Sequence, residues 1–470
     1  MIGVISVNGS PRADVLPDGR LETWGIDSKT PLGRCFVHLS AFPSTARFSR
    51  PCRPSPSDGL GQRRHAVMVI APMFLLLTPA CGSQSTQAPR NAAPLAKNSR
   101  IKAITALQVS GARPRFSPAG TEVVFDRANV DGFYDVYRSD LSGRIIASLT
   151  DGHPGINQRH NGNAIFHPSG KFIIFISEES DHVRLEDKDL GDPGVGLYSN
   201  FWATDLEGRS FWKLTNIPIK KAVDDGIPSM AAVNPVFSAD GSLFLWSERY
   251  AEGGRFNWGR WRIMATDFVI TGGTPSLENE RVVAYAAKGN YVTAMALLDA
   301  RRLLLAGNLD GQHEYGMDQY IEDVDTHELA NLTNTPLVWE EDSCVAPNGQ
   351  IIYMSNIDAK DALDFSNPDW HQQPREREYY LMNQDGSGRE RLTYFNDPSA
   401  PEYVGKRVVT AACSVSADGR YLAGTQGIDQ RSDRVAQIDL RPVLIEFAAP
   451  LRATAQISPL DITAAESGGR

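Results

Sequence analysis

Two short clusters of polar residues carry side chains that could do chemistry. One reads Arg-His-Asn-Gly-Asn over residues 159–163, and the other reads Trp-Glu-Glu-Asp over residues 339–342. An imidazole and a group of carboxylates around one channel can hold a divalent metal ion or a sugar. The candidate residues are His160, Asn161, Asn163, Glu340, Glu341 and Asp342. A bound metal would have His160 and Glu341 as ligands; the alternatives are a structural histidine and a solvated acidic loop.

Two aromatic-rich segments could bind a ligand at the surface. Residues 255–261 read Arg-Phe-Asn-Trp-Gly-Arg-Trp, and residues 364–371 read Asp-Phe-Ser-Asn-Pro-Asp-Trp-His. An exposed tryptophan beside Arg or Asp suits carbohydrate or peptide recognition. From these segments we select Trp258, Arg260 and Trp370 as candidates for binding on a face. The polar stretch 180–196 is predicted to be a long loop, either covering one face or simply solvated.

Signatures of several common enzyme classes are missing from the sequence. The chain contains no G-x-S-x-G elbow, no Walker loop, no G-x-G-x-x-G fingerprint and no H-E-x-x-H helix motif. Among its five cysteines, none has the spacing of a metal-binding C-x-x-C pair. Cys344 and Cys413 both lie in predicted inner strands, and we expect two buried free thiols, with a disulfide in an oxidising compartment as the alternative.

The elements that would position these residues come from an internal repeat. A short apolar strand, a turn and a second apolar strand recur along the chain, with copies at residues 114–120, 164–170, 234–241, 344–349 and 413–419, and a degenerate copy at 297–300. Each complete copy places Pro, Ala, Ser, Asp or Asn before a Gly, and such residues close a tight hairpin. The flanking runs are rich in β-branched and aromatic residues, which favour strands.

A second half-motif accompanies several of these copies. Residues 134–150, 198–215, 315–333 and 379–393 each read as an alternating strand, a polar turn and a short strand that ends in Leu-Thr. Two hairpins per repeat make four antiparallel strands, which is the content of one propeller blade. A blade cannot bury both of its faces alone, whereas a closed ring of blades can. We therefore predict an all-β fold of about six blades, with residues 101–107 completing the last one.

The Phe-Ser-Pro-Asp-Gly pattern, paired with a distal Asp-x-x-Gly and Leu-Thr, resembles the TolB-like propeller repeat, also called PD40 or WD40-like. The resemblance covers about residues 101–450, and the phrases at residues 159–175, 197–208, 257–268 and 314–320 are similar to a secreted bacterial subgroup of TolB-like proteins. It implies a propeller domain over residues 101–451 and a frayed tail over 452–470. Because propellers host many functions, the resemblance implies no particular activity.

The segment before the propeller has the parts of an export signal. Arg63 and Arg64 precede an apolar run over residues 66–80, and Cys81 follows. This order is typical of a signal peptide, and Cys81 is similar to the lipidated cysteine of a bacterial lipoprotein. We predict a signal over 63–81 and a flexible tether over 82–100, with 1–62 disordered or a wrongly assigned gene start. A non-native apolar linker and a short membrane anchor in a cytosolic chain are the alternatives. The predicted location is the periplasm or envelope.

Composition and the missing motifs favour binding over catalysis. The chain has a formal net charge of -9, which argues against nucleic acid as a partner. We predict a monomeric envelope protein whose propeller face binds a protein, peptide or glycan, with membrane contact only through a lipid anchor. No cofactor is expected unless a divalent metal is bound. The alternative is a metal-dependent polysaccharide lyase or hydrolase, with its site in the channel. A structural ring in a larger assembly is a third reading.

Overall fold

The architecture comes from a computed structural model, which describes residues 96–179, 190–219, 228–252, 259–287, 289–313, 316–360, 376–430 and 438–452. Two short strands near the start, β1 (Asp14–Val15) and β2 (Leu21–Glu22), also pair with each other. All other strands belong to six four-stranded antiparallel sheets, so the predicted six-bladed β-propeller is confirmed. In the described ranges, no helix has the length and apolar character needed to cross a membrane.

The strands follow one another from the channel outwards in each blade. The first strand of the ring is β3 (Ile101–Ala106). Blade 1 contains β4 (Ala112–Phe116), β5 (Glu122–Ala128), β6 (Tyr134–Asp140) and β7 (Ile145–Ser148). Blade 2 contains β8 (Asn161–Phe166), β9 (Ile173–Glu178), β10 (Ser199–Thr204) and β11 (Phe211–Lys213). Blade 3 contains β12 (Ala231–Phe237), β13 (Leu243–Ala251), β14 (Arg260–Thr271) and β15 (Thr274–Tyr285).

The remaining blades complete the ring in the same order. Blade 4 contains β16 (Val292–Leu297), β17 (Arg302–Gly307), β18 (Asp318–Asp323) and β19 (Leu329–Asn331). Blade 5 contains β20 (Glu340–Val345), β21 (Ile351–Ser355), β22 (Glu378–Met382) and β23 (Glu390–Arg391). Blade 6 contains β24 (Val408–Val415), β25 (Tyr421–Asp429) and β26 (Ile438–Phe447), with β3 as its outermost strand. The predicted closure is confirmed: Ile101 pairs with Phe447, and Ala106 pairs with Val443.

Both repeated half-motifs have a structural reason. In the turn motif, Gly120, Gly170, Gly241, Gly349 and Gly419 have φ between 68° and 84°, a conformation that glycine adopts at little cost. In the Leu-Thr motif, the Thr150 hydroxyl accepts from the Val136 amide at 2.9 Å and donates to the Asp135 carboxylate at 2.9 Å. Thr215, Thr333 and Thr393 make the same pair of bonds in blades 2, 4 and 5. Each threonine therefore ties the outermost strand of its blade to the start of the third.

The core lies between neighbouring blades. Every residue of β9 and of β21 is buried, since each blade is covered on both faces. These strands consequently read as continuous apolar runs in place of alternating ones. Between blades 2 and 3, the ring of Phe201 lies 5.2 Å from Phe244 and 5.7 Å from Trp246, measured between centroids. Such contacts hold the inner strands at the fixed spacing from which the channel is built.

Candidate functional site

All six inner strands break register at the same place. Each pairing of an inner strand with its neighbour skips a residue, which marks a β-bulge. Five of the bulges hold a non-glycine residue in the left-handed region, with φ between 50° and 55°: Arg113, Asn163, Asn234, Asp342 and Ala412. In blade 4 the bulge residue is Met295. Left-handed residues other than glycine cost about 1–3 kcal/mol and cluster at functional sites. We call these six residues the bulge ring.

Hydrogen bonds link the bulge ring from blade to blade. The Asn163 side-chain amide donates to Asn234 Oδ1 at 3.1 Å, and the Asn234 amide donates to Thr293 Oγ1 at 2.6 Å. Thr293 in turn shares a hydrogen bond with Ser247 Oγ at 3.0 Å. Asparagine tolerates the left-handed conformation better than most residues and carries both donors and acceptors. It therefore suits a position that must turn sharply and still bridge two strands.

A buried ion cluster occupies the blade 1 side of the ring. The Arg113 guanidinium donates to Asp126 Oδ2, and Asp192 Oδ1 lies 3.7 Å from the same guanidinium. Asp126 is fully buried and also accepts from the Asn163 backbone amide at 2.9 Å. Burial raises the pKa of the Asp126 carboxyl, although Arg113 acts in the opposite direction. The charges of Arg113, Asp126 and Asp192 therefore balance one another within the cluster.

The segment at residues 190–196 packs onto this cluster. All seven residues are buried, and the carbonyl of Pro193 accepts from the Asn163 side chain at 3.2 Å. A Cβ atom on Gly162 would lie 2.7 Å from Pro193 and from Asp126, so a larger residue would displace the segment or the carboxylate. Only a cavity of about 30 Å³ remains here, bordered by Gly194 and five bulge residues. A cavity of that size has room for about one water molecule. We call it the narrow cavity.

A second cavity, at the other end of the channel, has a volume about ten times larger. A cavity of about 300 Å³ is lined by fourteen residues, which come from the inner strands of all six blades. They include Phe166, Phe237, Met295 and Val415, near the turns that follow the inner strands. Arg115 lines both this cavity and the narrow one. We call this space the wide cavity.

A disulfide forms part of the wall of the wide cavity. Cys344 on β20 and Cys413 on β24 are bonded, with their Cα atoms 5.5 Å apart. The expectation of two free thiols is therefore wrong. The inner strands of blades 5 and 6 pack side by side, and this brings together two cysteines that are 69 residues apart in sequence. The bond joins the two blades beside the channel.

The structure places His160 between blades 1 and 2. Its ring is buried, with Nδ1 accepting from the Tyr134 amide at 3.2 Å and the centroid of Phe133 at 5.0 Å. The Asn161 side chain donates to the carbonyl of Asn157 at 2.9 Å. The contacts of His160 lie in the interface between the blades and that of Asn161 lies within blade 2, whereas Asn163 reaches the channel as a bulge residue. Within the described ranges, no group of three or more His, Cys, Asp or Glu residues is arranged to hold a metal ion.

Glu340 and Glu341 are buried on strand β20 and Asp342 is partly buried, so the alternative of a solvated loop is wrong. Glu340 accepts from Thr335 and Ser355, each at 3.0 Å, and burial raises the pKa of its carboxyl to about 7. Glu341 accepts from the Trp339 indole at 3.1 Å, and burial raises its pKa as well. Asp342 belongs to the bulge ring and borders the narrow cavity. Of the three acids, it alone borders one of the two cavities.

The candidates for binding on a face are placed less centrally. Arg260, at the start of β14, pairs with Glu252 at 3.0 Å. Trp258, Trp370 and Cys81 lie outside the described residues. Sequence reasoning missed Arg113, Arg115 and Asn234, although one signal was available. Five copies of the repeat have a bulge residue with positive φ. In each of them that residue lies four positions before the first residue of the tight turn, as Arg113 lies before Ser117.

No protein-family model matches the chain, and no curated protein matches it. Solved structures similar to it include TolB from Acinetobacter baumannii, with 12% identity and a TM-score of 0.40 over 74% of this chain and 66% of that one. An oligogalacturonate lyase from Vibrio parahaemolyticus has 11% identity and a TM-score of 0.41, covering 75% and 95%. A puromycin-hydrolyzing peptidase from Mycobacterium tuberculosis has 10% identity and a TM-score of 0.42, covering 78% and 56%. The sheet topology makes the chain a six-bladed propeller, as the repeats predicted, and TolB is among its structural neighbours.

Proposed function

We propose that the chain is a cell-envelope binding protein that takes part of a protein, peptide or glycan partner into the wide cavity. The observation that carries this proposal is the cavity itself, about 300 Å³ in volume and lined by the inner strands of all six blades. Small-molecule and peptide sites are usually concave and preformed, with few polar side chains among apolar ones. The wide cavity has this character, with Arg115 as the charged group in its wall.

The disulfide supports an envelope location. Disulfides form and persist in oxidising compartments such as the periplasm and are rare in the reducing cytosol. The bond between Cys344 and Cys413 is consistent with an exported chain, as is the sequence pattern around residues 63–81. Lipidation at Cys81 is part of the same proposal. Mass spectrometry of the native protein would detect the lipid, and an unmodified residue 1–62 segment would contradict export by this signal.

The experiment that tests binding fills the cavity. The purified full-length chain is applied to peptide and glycan arrays together with Val415→Trp, which places an indole in the wide cavity. Val130→Trp is the matched control, since Val130 is 95% exposed in the loop between β5 and β6. We expect ligands retained by the wild type and by Val130→Trp to be lost with Val415→Trp. Equal binding by both variants, or no binding by the wild type, would count against the proposal.

The enzymatic alternative is tested on the same samples. Oligogalacturonates are incubated with wild type, Val415→Trp and His160→Ala, with and without a divalent metal ion. Metal-dependent formation of unsaturated products, lost in His160→Ala, would favour a lyase over a binding protein. We expect no cleavage, because His160 lies in the interface between blades 1 and 2 and its Nδ1 accepts a hydrogen bond there.

A further inference from the structure

Two arginines of the innermost strand of blade 1 differ sharply in their partners. Arg113 lies beside two carboxylates, those of Asp126 and Asp192. Arg115, two residues further along β4, donates from Nη1 to the carbonyl of Cys413. No carboxylate of the described residues lies within ion-pair distance of the Arg115 guanidinium. The same strand therefore holds one neutralised guanidinium and one whose charge is balanced only from a distance.

An arginine in this position is costly unless it meets an anion. A half-buried charge without an ion-pair partner is still unfavourable, and its desolvation lowers the pKa of Arg115. Arginine nonetheless keeps its charge in proteins, because its ordinary pKa exceeds 12. Arg115 borders the wide cavity, through which a solute can reach it. The carboxylates of Asp342 and Asp126 attract the Arg115 guanidinium without forming an ion pair with it, and an anionic group of a ligand would add the ion pair that the described residues do not make.

The wall around Arg115 distinguishes between classes of anion. Of the fourteen lining residues, only Arg115 and Ser414 have side chains that donate hydrogen bonds, and Ser414 Oγ already accepts from the Phe116 amide at 3.1 Å. Most of the other side chains are apolar, among them Phe166, Phe237 and Leu297, although more of the accessible wall is polar than apolar. A uronate would bring several hydroxyls that need partners, and unpaired buried hydroxyls are costly. A peptide end would bring one carboxylate and an apolar side chain.

We propose that the wide cavity binds the free C-terminal carboxylate of a peptide through Arg115, with the last apolar side chain against Phe166 and Phe237. The planar guanidinium matches a carboxylate with two parallel hydrogen bonds, a geometry that an ammonium group lacks. This inference rests on the proposed function and names the ligand class for the same cavity.

The test compares two pools of random hexapeptides ending in Leu or Phe, one with free carboxylates and one with C-terminal amides. Dissociation constants are measured by fluorescence anisotropy with the full-length chain. We expect the carboxylate pool to bind at least about tenfold more tightly, since a hydrogen bond to a charged group is worth that much. Arg115→Gln should remove the difference, and Arg115→Lys should keep part of it. Arg144→Gln, at a side chain 80% exposed, is the control that should change nothing.

The comparison of carboxylate with amide uses the wild type alone, so it stands even if an Arg115 variant folds poorly. Equal affinity for the two pools, no binding of either pool, or tighter binding of trigalacturonate than of any peptide would overturn the inference. Val415→Trp separates this failure from failure of the proposed function. One outcome is binding that is lost in Val415→Trp and yet is unchanged by Arg115→Gln and by amidation of the peptide. That result would support the proposed function and contradict recognition of the carboxylate.

Discussion

The two cavities of the channel share the inner strands of five blades, and the inner strand of blade 4 borders only the wide one, yet the larger difference between them is physical. In the narrow cavity the charges of Arg113, Asp126 and Asp192 lie against one another, and the segment at residues 190–196 packs over them. In the wide cavity, one guanidinium lies among mostly apolar side chains. The ring of strands therefore does not decide by itself what either cavity does. The segment at residues 190–196 and the placement of a few charges make one end structural, and our proposal gives the binding role to the other end.

The largest expected effect is at the narrow cavity. Asp126→Ala would leave the Arg113 guanidinium buried beside an incomplete set of partners, and we expect a loss of about 3–5 kcal/mol in the free energy of unfolding. Urea denaturation followed by circular dichroism measures it. The control is Asp325→Ala, which removes an exposed carboxylate from Arg301 and should leave the free energy nearly unchanged. A loss no larger than that of the control would contradict the view of this end as a structural ion cluster.

The second effect is at the wide cavity and concerns the disulfide. Reduction of the bond between Cys344 and Cys413 should lower the free energy of unfolding by about 2–4 kcal/mol, because the unfolded chain is no longer constrained. Unfolding in urea with and without reductant measures the change. The double variant Cys344→Ala/Cys413→Ala should be insensitive to reductant. If the wild type is insensitive too, the two blades are held by packing alone.

The third effect is a pH dependence that belongs to the buried acids. Burial raises the pKa of Glu340 to about 7, so between its unfolded value and 7 the folded state binds more protons than the unfolded state. Stability should therefore fall as the pH rises through this range, by up to about 3 kcal/mol. Glu340→Gln should remove this component, visible as a difference between variant and wild type at about pH 5 and about pH 8. A difference that does not change with pH would contradict the assignment.

The smallest expected effect concerns the backbone strain of the bulge ring, which lies between the two cavities. Ala412 has φ of 55°, and glycine would adopt this conformation without strain. Ala412→Gly should therefore stabilise the protein by about 0.5–1 kcal/mol. Ala411→Gly, one residue earlier in the same strand and without a positive φ, should destabilise it by a similar amount. Equal destabilisation by both would mean that the bulge is not strained.

Much of the fold could be predicted from the sequence because its signals are local. The tight turns need glycine within a few residues of the strands they join, and the Leu-Thr ending makes its hydrogen bonds inside one blade. The candidate site was less accessible. His160 and Asn163 look equivalent in sequence, because they are only three residues apart in one polar run. In the structure His160 lies in the interface between blades, whereas Asn163 lies at the bulge of β8 and borders the channel. The buried acids looked solvated because a polar run in a sequence does not reveal what will cover it.

The sequence by itself determined the number of blades, the hairpins within them and the strand that closes the ring, since turn chemistry and strand pattern act between near neighbours in the chain. Only the tertiary structure decided what the channel contains. A bulge rotates a side chain towards the axis, and the groups that meet there come from blades far apart in sequence. The disulfide spans 69 residues, and the partners of Arg113 lie 13 and 79 residues away. Whether an arginine has carboxylates within ion-pair distance depends on such neighbours, as the difference between Arg113 and Arg115 shows.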